Sequence, residues 1–155
     1  MNKLIVVSGA TEGIGRAIAE KFIKNGFDLA ICARKEQTLL KTKEQLEQMS
    51  LGNKVHICQA DLSKKEDCQV FIDFINNLNI PVAVLVNNAG FYLPGQIHLE
   101  AEGQLEAMIN TNLYSAYHLT RGLVNQMISD KKGHIFNICS VASILPYPNG
   151  GSYSI

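Results

Sequence analysis

The stretch Leu4-Ile5-Val6-Val7-Ser8-Gly9-Ala10-Thr11-Glu12-Gly13-Ile14-Gly15-Arg16-Ala17-Ile18-Ala19 decides the fold. An unbroken apolar run passes through a glycine-rich turn straight into a helical pattern. There Ile14, Ile18 and Phe22 recur every fourth position, and Gly26 supplies the stop. A half-exposed strand would alternate, so a continuously apolar one suits a parallel sheet covered on both faces. Gly9 permits the sharp turn, Gly13 lets backbone approach a pyrophosphate, and Gly15 lets helix pack closely on strand. The free N–H groups and dipole of the helix N-terminus then favour an anion. Turns collect glycine anyway, so the triplet alone is weak evidence. Its place between a clean strand and a clean helix makes it a dinucleotide-binding turn.

The same alternation runs outward to the chain's other end. Apolar runs at 29–32, 55–58, 82–86 and 135–139 read as strands, with helices predicted between them. Helix 12–25 follows the glycine turn, and 36–49 is rich in Glu, Gln, Lys and Leu, with Leu39 and Leu46 a heptad apart. Ser63 and Glu66 read as a capping box, after which Phe71, Phe74, Ile75 and Leu78 keep the spacing of a buried helical stripe. A single fourth helix within about 100–129 carries Leu105, Met108, Ile109, Ala116, Leu119, Leu123 and Met127 on one face. Repeated right-handed crossovers of this kind build a doubly wound parallel sheet with helices on both sides. The expectation is one α/β domain of Rossmann type over residues 1–155.

Composition narrows the function. The 155 residues are 46% hydrophobic and 18% charged, with a formal net charge of zero, which gives no electrostatic reason to expect nucleic acid or a membrane surface as partner. The apolar start is too short for a signal peptide, and no run approaches the roughly 20 residues of a membrane span. Cys32, Cys58, Cys68 and Cys139 lack metal-ligand spacing and read as reduced, mostly buried thiols of a cytoplasmic protein. His56, His98, His118 and His134 are not at ligand spacing either, so no metal site is expected.

The glycine spacing Gly-x-x-x-Gly-x-Gly at Gly9, Gly13 and Gly15 resembles that of the short-chain dehydrogenase/reductase family, and later segments extend the resemblance. Asp61-Leu62 after the third strand looks like the family's adenine contact, and Asn87-Asn88-Ala89-Gly90 after the fourth matches its segment beside the adenosine ribose. Asn112-Leu113, followed by Thr120, is similar to the context of the asparagine that orients a water in the family's proton relay. Asn112 falls on the apolar helix face, where a structural asparagine repairing local hydrogen bonds is the other reading. Ser140 matches the catalytic serine after the fifth strand, and Tyr153 follows it at the family's usual separation.

The resemblance implies strand order 3-2-1-4-5 and hydride transfer between a nicotinamide cofactor and a carbonyl or secondary alcohol. Ser140 would hold the substrate oxygen and Tyr153 would act as general acid/base. Thr11, Glu12 and Ile14 complete the expected phosphate turn. An acid about 20 residues past the glycines usually selects NAD, whereas an arginine suits a 2′-phosphate. Ala33 holds that place and Arg34-Lys35 follow, so NADP(H) is expected over NAD(H), although Glu12 stands where many NADP-preferring relatives carry a basic residue.

Both 3-oxoacyl carrier-protein reductases and sepiapterin-reductase-like enzymes are similar, and the residues do not choose between them. The loops Phe91-Tyr92-Leu93-Pro94 and Leu145-Pro146-Tyr147-Pro148 suggest an apolar substrate pocket. The family's lysine, four residues after the tyrosine, would fall two residues past Ile155, and the loop-rich stretch 143–154 ends without a stop signal. The expectation is therefore a chain cut short of its later strands and inactive alone, with a homodimer or homotetramer at full length. A non-catalytic dinucleotide sensor or interaction domain is the alternative.

Overall fold

The computed structural model describes residues 3–146 and 148–155; Tyr147, expected at the substrate pocket, lies outside them. The strands are β1 (Lys3–Ser8), β2 (Phe27–Ala33), β3 (Val55–Gln59), β4 (Val82–Asn87) and β5 (His134–Asn137). The helices are α1 (Gly13–Ile23), α2 (Glu36–Gln48), α3 (Lys65–Asn77), α4 (Gln104–Ile109) and α5 (Ser115–Asp130). All strand pairs are parallel, in the order β3-β2-β1-β4-β5, as expected of a doubly wound sheet.

Side chains of successive strand residues point to opposite faces, and β1 divides its apolar run accordingly. Leu4 and Val6 enter one core with Phe71 and Ile75 of α3 and Leu119, Leu123 and Met127 of α5. Ile5 and Val7 enter the other, with Ala19 and Ile23 of α1 and Leu39 and Leu46 of α2. In β4 the parity breaks, because Val82 belongs to the first core and Val84 to the second. A register shift against β1, between Leu4 and Ile5, skips Ala83 and accounts for it. Each fully buried Val, Leu or Ile contributes about 1.5–3 kcal/mol, so the central strands anchor everything at their ends.

Several local expectations need correction. In α1 the buried residues are Gly15, Ala19 and Ile23, one position on from the predicted stripe, and Ile14 is 62% exposed. The capping box does not form. Helix α3 starts at Lys65 with no side-chain cap, because the Ser63 hydroxyl donates instead to Asp61 Oδ1 at 2.8 Å. The single helix over 100–129 is two helices joined by a π-helical segment, Asn110–Tyr114. Strand β5 ends at Asn137 rather than 139, and as an edge strand it leaves Phe136 51% exposed. Cys139, past its end, is exposed, whereas Cys32 and Cys68 are buried and Cys58 half-buried; all are free thiols.

Candidate active site

Strand β1 hands over to α1 through Gly9 and Gly13, both left-handed at φ +68° and +58°. That conformation strains any residue with a Cβ. Helix α1 has no side-chain cap at its N-terminus, which leaves its first amides available to an anion. A Cβ at Gly13 would meet nothing, whereas one at Gly15 would strike the Gly9 carbonyl and the Asn88 amide. The two glycines therefore differ: Gly13 faces open space, and Gly15 makes a tight internal contact.

The turn is braced from β4. Asn88 Nδ2 donates to the carbonyl oxygens of Ser8 and Gly9 at 3.0 Å each. The backbone N–H groups of Asn88 and Ala89 donate to Ser8 Oγ at 2.9 Å each. Asn88 thus spends its side chain on holding the glycine turn. Its neighbour Asn87 donates from Nδ2 to Thr120 Oγ1 at 3.0 Å and Asn137 Oδ1 at 2.9 Å, joining β4 to α5 and β5.

Above the strand ends lies a cleft of about 720 Å³. It gathers Gly9, Thr11, Arg34, Asp61, Leu62, Ala89 and Gly90 from the expected cofactor set. Glu12, Gly13, Ile14, Gly15, Lys35 and Asn88 stand outside its wall. Ser63, expected as a helix cap, and Phe91, from the loop expected at the substrate pocket, also line the cleft. Gln59, which sequence reasoning missed, fixes Arg34 by donating from Nε2 to its carbonyl at 2.9 Å. Ser8, the other omission, stood in the quoted turn, but no spacing rule marks a brace.

Asp61 Oδ1 accepts from the backbone N–H and hydroxyl of Ser63 at 3.1 and 2.8 Å. Burial disfavours its charge, but the Ser63 bonds with Arg34 and Lys64 outweigh this and hold the carboxyl below its ordinary range. Asp61 is therefore an acceptor at neutral pH.

The three expected catalytic residues stand outside the cleft wall. Asn112, half-buried on the π segment, grips the backbone of Phe91: Oδ1 accepts from its N–H and Nδ2 donates to its carbonyl, both at 2.9 Å. Its amide secures a loop that lines the cleft, and does not repair its own helix. Ser140 Oγ accepts from Ala142 N–H at 3.2 Å and so caps the turn Val141–Ser143. That turn packs against Gly151–Ser154, which carries Tyr153. The Tyr153 ring lies 4.8 Å from that of Tyr92, tilted by 48°. In and just after the Val141–Ser143 turn, Val141, Ile144 and Leu145 are exposed, Ile144 at 86%. Among the described residues no His, Cys, Asp and Glu cluster could hold a metal, and no helix is long and apolar enough to cross a membrane.

The family model for short chain dehydrogenases matches residues 3–155. The chain belongs to the short-chain dehydrogenase family. This short-chain dehydrogenase is 31% identical over 153 residues to an uncharacterized oxidoreductase, YvrD, of Bacillus subtilis, a match over 99% of this chain and 57% of that protein. It is 30% identical over 151 residues to the NADP-dependent 3-hydroxy acid dehydrogenase YdfG of Escherichia coli, over 97% of this chain and 59% of the relative. Its fold superposes on a metagenomic short-chain oxidoreductase in complex with NADP, with TM-score 0.90, 32% identity, and coverage of 98% and 68% of the two chains. The L-sorbose reductase of Gluconobacter frateurii, complexed with NADPH and L-sorbose, gives TM-score 0.92 at 27% identity, over 99% and 58%. The chain thus spans a little over half the length of these curated relatives.

Proposed function

We propose that this short-chain dehydrogenase binds NADP(H) in the cleft above β1, β2 and β4 and serves an oxidoreductase that interconverts a carbonyl and a secondary alcohol. The observation that carries the reading is Arg34, just past the end of β2, which lines one cleft with Asp61 and the braced glycine turn. Relatives named for NADP or NADPH support the same cofactor.

The residues fit the group. The uncapped N-terminus of α1 and the open face of Gly13 suit a pyrophosphate. Arg34, with Lys35 beside it, suits a ribose 2′-phosphate. Asp61, held ionised, can accept from the exocyclic amine of adenine. NADP(H) held by these residues would supply the hydride for reduction of the carbonyl. Ser140 Oγ already accepts from Ala142 N–H, which leaves its own proton free to donate to the substrate oxygen. Tyr153 delivers the proton that completes the alcohol and recovers it in the reverse direction. Asn112 holds the Phe91 loop between cleft and tyrosine. The exposed Val141, Ile144 and Leu145 suit a substrate with an apolar body.

The test is turnover of a ketone by the whole protein. Tyr153→Phe removes only the transferable proton, so NADPH binding should persist while turnover falls about 100-fold or more. Ser140→Ala should also lower turnover. Near-normal turnover by Tyr153→Phe would overturn the assignment.

A further inference from the structure

We infer that Glu100 and Tyr92, both on the loop after β4, position Tyr153 for proton transfer; the inference rests on the acid/base reading of Tyr153. The 3-10 turn Gly151–Ser154 carries Tyr153, and hydrogen bonds at Asn149 and Ser152 set where it sits. Those bonds come from one loop. Glu100 Oε1 accepts from the Ser152 N–H at 2.7 Å, immediately before Tyr153. The Asn149 carbonyl accepts from the Tyr92 hydroxyl at 2.7 Å and from the Gly95 N–H at 3.0 Å. The Tyr92 ring also lies against that of Tyr153.

The chain on the other side is shaped to receive the carboxylate. Gly151 is left-handed at φ +52°, and a Cβ there would fall on Glu100 Oε1. A hydrogen bond to a carboxylate is about twice as strong as a neutral one. At its near end the same loop is gripped by Asn112 at Phe91, which lines the cleft. One segment therefore joins the cofactor cleft to the tyrosine-bearing turn. Glu100 itself stands outside the cleft wall, so its loss should not reach the nucleotide. What it should reach is the placement of the phenol, where a misplacement of about 1 Å can cost about 100-fold in rate.

The experiment measures kcat, KM for a ketone and the NADPH Kd in the whole protein for Glu100→Ala, Glu100→Gln, Tyr92→Phe and Tyr153→Phe. Glu100→Ala should lower kcat about 10- to 100-fold with NADPH Kd little changed. Glu100→Gln keeps an acceptor oxygen and should recover most of the loss, and Tyr92→Phe should lower kcat by a smaller factor. If Tyr153→Phe is inactive while Glu100→Ala keeps its kcat, the inference fails and the acid/base reading stands. A fall in NADPH affinity matching the fall in kcat, or no recovery in Glu100→Gln, also overturns it. Full turnover by Tyr153→Phe sinks the acid/base reading and the inference together.

Discussion

Burial of His56 on β3 pushes its imidazole below the ordinary pKa; Lys54 and Lys43 add to the shift, and Asp28 and Glu47 oppose it. Its Nε2 is buried with no hydrogen-bond partner among the described residues. The folded state therefore resists protonation that the unfolded chain accepts near pH 6.5. Between the lowered folded value and the unfolded one, the unfolded state binds more protons. Stability from this group is complete above the unfolded pKa and declines as pH falls below it. Thermal unfolding at pH 7.5 and pH 5 should show a smaller acid loss in His56→Gln than in the unaltered protein. An equal loss in both would remove His56 as a contributor. Asp61 is the opposite case for legibility, since its place after the third strand marked it, whereas the Ser63 bonds that hold it ionised lay behind an apparent capping box.

Between the elements α3 and α5, Gly122 faces Ile72, and a Cβ at Gly122 would come within 2.6 Å of the isoleucine. Alanine in place of a helical glycine ordinarily gains up to about 1 kcal/mol. Overpacking a core costs about 1–3 kcal/mol, and Ile72 is buried. The second effect should win, so Gly122→Ala should lower the urea midpoint, and a raised midpoint would contradict the packing. Helix type was only partly legible. The apolar residues Met108, Leu119, Leu123 and Met127 flank Asn110–Tyr114 and continue the helical spacing, so the wider π turn leaves no break in the pattern. Asn112 stood out as an amide on an apolar face, but its partner is backbone, and backbone carries no residue signature. The clamp from Glu100 to Ser152 was illegible for the same reason.

Across the whole molecule, a parallel sheet brings every loop that follows a strand to one edge, and ligands bind where the strand order reverses. Gly9 follows β1, Arg34 β2, Asp61 β3, Asn88 β4 and Ser140 β5. Their convergence was legible because it needs only strand direction and order, both of which apolar runs and crossover length convey. How the cleft wall divides them was not, since Asn88 turned inward to brace the turn while Arg34 lines the cleft. The central claim is that this cleft holds NADP(H), with Arg34 gripping the 2′-phosphate. Its most direct measurement is fluorescence titration of NADPH and NADH against the unaltered protein and Arg34→Ala. Losing a charge-assisted bond costs about 1.5–3 kcal/mol, so NADPH, bound more tightly than NADH at the outset, should weaken by about 10- to 100-fold while NADH changes little. Equal losses for both nucleotides, or tighter binding of NADH by the unaltered protein, would contradict the claim.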